Sequence, residues 1–121
     1  MSRALSILLV DDDRKLVKVL TSILEIQGHR VTAVYSGNAA LEALNKSSYD
    51  VVLADLRMPR MDGLRMLRTV GFSKQRPKVI IMTAYATPET QSKAKDFGAF
   101  EYLEKPFKLA QLRQALDRAT A

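Results

Sequence analysis

The chain has 121 residues, 47% of them apolar, which is enough for one packed domain and too few for two. With no cysteine and a single histidine, His29, it cannot form disulfides, thiol nucleophiles, thiolate zinc sites, iron–sulfur ligation or a multi-histidine metal centre. Its 19 Lys+Arg against 13 Asp+Glu give a net charge of +6, which suits either a nucleic-acid surface or an ordinary soluble one.

Two patterns alternate along the chain. Apolar runs rich in β-branched residues occur at Ile7–Val10, Val31–Tyr35, Val51–Ala54, Val79–Met82 and Phe100–Leu103. The first, third and fourth are apolar at every position, as strands buried on both faces are, whereas the second and fifth are mixed and suit sheet edges. Between them lie segments of helical spacing. Leu16, Val17, Leu20, Ile23 and Leu24 form one stripe, which Gly28 would stop. Ala40, Leu41 and Leu44 follow Ser36, a good N-cap. Leu64, Leu67 and Val70 lie between Gly63 and Gly71, and 71–77 reads as a connection. Thr87-Pro88-Glu89 opens a helix running to Phe97 and Gly98. Leu109, Leu112 and Leu116 make the last stripe.

Five strands, each followed by a helix, predict an α/β fold. It is a doubly wound (βα)5 unit whose five-stranded parallel sheet has the flavodoxin-like order 2-1-3-4-5 and helices on both faces. No repeat, low-complexity segment or linker divides residues 1–121, which read as a single domain with no effector domain attached. No apolar run is long enough to cross a bilayer, and the first residues lack a signal peptide's apolar core, so the expected location is cytoplasmic.

In such a sheet the site lies at the carboxyl ends of the strands. Asp11, Asp12 and Asp13 follow the first, Asp55 ends the third, Thr83 ends the fourth, and Lys105-Pro106 follows the fifth. Carboxylates gathered without a cation repel. A hard divalent ion removes that penalty, and oxygen-only ligands select Mg2+ or Mn2+ over zinc. Lys105 and Thr83 supply a positive charge and a donor suited to phosphate. No GxxxxGK[ST] loop is present, so the phosphoryl group must arrive on a donor, and the best nucleophile is a carboxylate.

These residues resemble the receiver domains of bacterial two-component response regulators, over essentially the whole chain. The matching stretches are Ile7 to Asp13, Asp55 to Gly63 (Asp-Leu-Arg-Met-Pro-Arg-Met-Asp-Gly), Met82-Thr83-Ala84, and Gly98 to Phe107. The resemblance implies that Asp55 accepts a phosphoryl group from a histidine kinase or phosphotransfer protein. It implies that Asp11 and Asp12, with Asp55 and the Arg57 carbonyl, hold Mg2+. Thr83 and Lys105 would bind phosphoryl oxygens, Tyr102 would turn inward as Thr83 moves, and the Lys105-Pro106 bond would be cis. The change would be read on the face made by the helix after the fourth strand, the fifth strand and the last helix, with dimerisation or an effector domain of a longer protein as output. The Phe100-Glu101-Tyr102 and Lys105-Pro106-Phe107 wording resembles receivers of the nitrogen-regulation class. The domain would be a switch, not a turnover enzyme.

Some positions depart from the family pattern or carry plainer readings. Arg60 replaces a common glycine, and Lys108 is a poor N-cap for the last helix. Tyr85, two residues beyond Thr83, is expected to slow self-dephosphorylation. Asp13 reads as a helix N-cap and Asp62 as a turn residue. His29 reads as solvent-facing, and Phe97 and Phe107 as core.

Three other functions compete with this one. A Mg2+-dependent aspartyl-phosphate phosphatase needs a second aspartate where Arg57 stands. A flavodoxin-like carrier needs a Ser/Thr/Gly-rich phosphate loop where this chain has three aspartates. Direct nucleic-acid binding has only the net charge in its favour. With the acidic site set aside, the rest is more basic still, notably at Arg14, Lys15 and Lys18, from Arg57 to Arg68, and from Lys74 to Lys78. In the family the first helix receives the kinase or phosphotransfer helix, so an acidic partner surface is expected there.

Overall fold

A computed structural model describes residues 4–56 and 77–120. The predicted helix between Gly63 and Gly71, together with Arg57, Arg60, Asp62 and most of the 71–77 connection, lies outside the described residues.

The strands are β1 (Ser6–Val10), β2 (Arg30–Val34), β3 (Val51–Asp55), β4 (Lys78–Thr83) and β5 (Glu101–Glu104). The described helices are α1 (Arg14–Ile26), α2 (Gly37–Lys46), α3 (Pro88–Asp96) and α4 (Leu109–Ala119). All strand pairs are parallel, in the predicted order β2-β1-β3-β4-β5.

The side-chain alternation of each strand divides the core in two. Ile7, Leu9, Val51, Leu53, Ile80 and Met82 point to one face, where Val17, Leu20 and Leu24 of α1 and Leu112, Ala115 and Leu116 of α4 cover them. Leu8, Val10, Val52, Ala54, Val79 and Ile81 point to the other, against Ala40 of α2 and Ala94 of α3. This explains why β1, β3 and β4 tolerate no polar residue within their runs: each position has a helix over it. Burying a Leu, Ile or Val is worth about 1.5–3 kcal/mol, so these central strands carry the greatest density of stabilising burial. β2 and β5 are the edges and are only partly buried, as their mixed sequences predict.

The helix ends follow the sequence cues. Asp13, Ser36 and Thr87 each accept a hydrogen bond from a backbone N–H in the following first turn. Lys108 has no side-chain oxygen to offer α4; its N–H instead donates to Gln111 Oε1 at 2.8 Å, and its carbonyl accepts from Gln111 N–H at 3.0 Å.

Gly28 and Gly98 both adopt left-handed backbone angles, with φ of 96° and 100°. Behind α1, Gly28 N–H donates to Glu25 O and His29 N–H to Leu24 O; behind α3, Gly98 donates to Lys95 O and Ala99 to Ala94 O. These are Schellman turns, which satisfy the last carbonyls and fold the chain back towards the sheet.

Two sequence expectations are corrected. His29 is buried, with 8% of its surface exposed, and its Nδ1 accepts a 3.0 Å hydrogen bond from Leu5 N–H. The Schellman turn brings it in from the surface, and its ring supplies an acceptor to the segment entering β1. Phe97 is 38% exposed because it caps the end of α3, where the helix turns away from the core. Phe107 packs against the α1/α4 core, as expected. No helix among the described residues is long and apolar enough to cross a membrane.

Candidate functional site

The sheet register brings the predicted strand ends together. Val10 pairs with Ala54, Asp55 with Met82, and Thr83 with Glu104, so Asp11, Asp55, Thr83 and Lys105 emerge along one edge. Asp11 and Thr83 are fully buried, and the side chains of Asp55 and Lys105 are 14% and 18% exposed. Asp12 is exposed.

Asp11 is tied down on three sides. Its N–H donates to Val34 O at 3.2 Å, its Oδ1 accepts from Asp13 N–H at 2.9 Å, and its Oδ2 accepts from Lys105 Nζ at 2.8 Å. Lys105 also reaches Asp55 Oδ2 at 3.4 Å. Burial works to lower the Lys105 pKa, but the hydrogen bond and charge of Asp11, and then of Asp55, outweigh it and hold the pKa above the ordinary lysine value. The ammonium therefore stays charged. The Lys105-Pro106 bond is cis, and Lys105 N–H donates to Thr83 O at 2.7 Å.

Asp11, Asp12 and Asp55 each offer a carboxylate oxygen, and these atoms lie within 4.8 Å of one another. That is an all-oxygen donor set of the kind a hard divalent cation takes. Asp13 caps α1 and is not in this group. The Arg57 carbonyl, the fourth expected ligand, lies outside the described residues.

Thr83 Oγ1 accepts a 3.0 Å bond from Tyr85 N–H, while the Tyr85 side chain is largely exposed. Tyr102, half-buried on β5, shares a 3.0 Å hydrogen bond between its hydroxyl and Thr90 Oγ1 of α3. Sequence reading passed over Thr90, because a capping box is sought as Ser or Thr followed three residues later by Glu or Gln, and here a second threonine fills that role. Near the mouth of the site, Arg14 lies over the Tyr35 ring at 3.9 Å from its centroid. Lys15 and Lys18 are exposed on the same helix.

A parallel sheet of this order with three clustered carboxylates, a charged lysine and a buried threonine at its carboxyl edge defines a flavodoxin-like α/β domain with an acidic site at the strand ends. The chain belongs to the response regulator receiver domain family, which it matches over residues 7–117. It is 40% identical to the regulatory protein AtoC of Escherichia coli over 93% of its own length and 24% of that protein's. It is also 40% identical to the DNA-binding transcriptional regulator NtrC of Klebsiella pneumoniae, over 92% of this chain and 24% of NtrC. These relatives are consistent with the nitrogen-regulation wording of Phe100-Glu101-Tyr102 and Lys105-Pro106-Phe107. The chain spans about a quarter of the length of these curated relatives.

Solved structures agree on the fold. The chemotaxis response regulator CheY4 of Vibrio cholerae matches with a TM-score of 0.89 at 28% identity, covering 97% of this chain and 99% of that one. The receiver domain of the sensor histidine kinase PA1611 of Pseudomonas aeruginosa, which holds a magnesium ion in its active site cleft, matches with a TM-score of 0.89 at 32% identity, covering 98% and 100%.

Proposed function

We propose that this domain is a phosphorylation-driven switch that takes a phosphoryl group from a phosphohistidine onto Asp55, in the presence of Mg2+. The observation that carries the reading is the placing of Lys105 Nζ between Asp11 and Asp55, beside the Asp11–Asp12–Asp55 carboxylate group.

In the reaction an Asp55 carboxylate oxygen forms a bond to phosphorus while the bond from phosphorus to the donor imidazole nitrogen breaks. The products are an acyl phosphate and a histidine that recovers a proton from solvent. Asp11, Asp12 and Asp55, with the Arg57 carbonyl, would hold the cation, and Mn2+ has the same hard-oxygen preference. Bound there, Mg2+ would offset the carboxylate repulsion and the charge of the phosphoryl oxygens. Lys105, already charged and anchored on Asp11, pairs with one phosphoryl oxygen without first being ordered. Thr83 gives its hydroxyl hydrogen to another. That displacement disturbs the Tyr85 N–H bond and so the loop leading into α3.

The donor is a sensor histidine kinase or a phosphotransfer protein, met through the basic face of α1. The output is altered partner binding or dimerisation through the α3–β5–α4 face, or control of an effector domain joined to the receiver. The similarity to a receiver structure with magnesium in its cleft supports the choice of ion. The experiment is incubation with phosphoramidate followed by intact mass, with and without chelation of divalent ions. One phosphoryl group should be gained only when Mg2+ is present; equal gain in excess EDTA would contradict the metal assignment.

A further inference from the structure

The hydroxyl of Thr90 joins two elements that the sheet alone does not. It donates to Thr87 O at 3.1 Å, accepts from Thr87 N–H at 3.0 Å, and lies 3.0 Å from the Tyr102 hydroxyl. A hydroxyl has one hydrogen and two lone pairs. Thr90 Oγ1 also lies 3.0 Å from Thr87 Oγ1, so either hydroxyl of the Thr90–Tyr102 pair can be the donor. Thr87 Oγ1 completes the cap by accepting from Thr90 N–H at 3.1 Å.

Two separate ties therefore bear on the approach to α3, one in the loop before it and one from within β5. One is Tyr85 N–H to Thr83 Oγ1, within the loop after β4. The other is Tyr102 to Thr90, from β5 across to the helix. Tyr102 itself sits beside Ile81 in the β4–β5 register, two residues before the level of Thr83. It also lines a groove of about 580 Å³ between α3 and β5, with Pro88, Gln91 and Phe100 among the other walls.

We propose that Thr90 is a positioning residue that makes the Tyr102 ring and the N-terminal turn of α3 move as one unit when Asp55 is phosphorylated. The inference rests on the switch reading above and adds the bond through which α3 follows the ring. When Thr83 leaves Tyr85 N–H for a phosphoryl oxygen, the loop shifts. The Thr90 hydroxyl passes that shift to Tyr102 and reshapes the groove. A phenylalanine in place of Tyr102 keeps the ring and the whole α3 cap but loses the tie, which separates coupling from helix capping.

The test is amide NMR of the protein titrated with beryllium fluoride and Mg2+, a mimic of the phosphoryl group on a carboxylate. In the wild type, the amides of Thr83, Thr87, Gln91 and Tyr102 should shift together. In Tyr102→Phe the Thr83 shift should persist while those of Thr87 and Gln91 shrink. Thr90→Val should do the same, Thr90→Ser should restore the response, and the double variant should be no worse than either single one. Full-sized α3 shifts in Tyr102→Phe, with Thr83 responding, would overturn the coupling alone. No response at Thr83 in the wild type would overturn the switch reading and the coupling with it.

Discussion

Lys105 Nζ and Asp11 Oδ2 meet at 2.8 Å although the two residues come from strands at different places in the sheet, β5 and β1, and Asp11 is fully buried. Asp55, on β3 between them, shares the same ammonium at 3.4 Å. One lysine charge thus serves two of the three clustered carboxylates, and a divalent cation would compete with it for them.

That competition has a sign. Mg2+ should raise the Tm of the wild type, since a ligand that binds only the folded state at a hundred times its Kd adds about 2.7 kcal/mol. Asp12→Asn, which removes a ligand oxygen's charge at an exposed position, should shrink the rise. Lys105→Met should enlarge it, because the ion then meets carboxylates with no internal cation. Thermal melts with and without Mg2+ measure this, and an Asp12→Asn rise equal to the wild type's would count against the assigned ligands.

His29 predicts a pH-dependent stability unconnected with the site. Burial pushes its pKa below the usual imidazole value, with Asp117 partly opposing, and Nδ1 must stay unprotonated to accept from Leu5 N–H. As pH falls below about 6.5 the unfolded chain takes up the proton first. The His29 contribution is therefore present above that pH and lost as pH falls through the lower, folded value. His29→Gln should be less stable than the wild type by about 1–3 kcal/mol near pH 8, with a shallower decline towards about pH 5. Urea denaturation across that range tests it; parallel slopes for the two proteins would remove His29 as the cause.

The basic face of α1 bears on partner choice. Arg14 is engaged with Tyr35, leaving Lys15 and Lys18 exposed for an acidic partner. Reversing both to glutamate should slow phosphotransfer from the cognate donor and flatten its salt dependence, because screening acts over about 10 Å at 0.1 M salt. The measurement is the transfer rate at several salt concentrations. An unchanged rate and slope would place the docking surface elsewhere.

Tyr85 lies in the loop after β4, its N–H bonded to Thr83 Oγ1 and its side chain largely exposed. If the side chain hinders water, Tyr85→Ala shortens the phosphoryl lifetime, by an amount read from the decay of phosphorylated protein after the donor is removed. A lifetime equal to the wild type's would mean that Tyr85 does not shield the acyl phosphate.

The sheet was legible because its signal is local and repeated. Runs such as Leu8-Leu9-Val10 and Val52-Leu53-Ala54 have no polar face, so they belong in the middle of a sheet covered on both faces, and the flavodoxin-like order is the natural expectation for five βα units. The carboxyl-edge residues were legible because topology, not side-chain detail, places Asp11, Asp55 and Thr83 together. His29 and Phe97 were misread because both sit at helix ends, where a Schellman turn or a cap decides which way a side chain faces, and no periodicity carries that information. Thr90 was missed for a related reason. Its importance comes from Tyr102, twelve residues away in sequence and reached only across the α3–β5 contact.

The central claim is that Asp55 is the phosphoryl acceptor. Wild type and Asp55→Asn should be incubated side by side with acetyl phosphate and Mg2+ and their intact masses compared. One phosphoryl group is expected on the wild type and none on Asp55→Asn; no gain in the wild type, or equal gain in the variant, would rule Asp55 out as the acceptor.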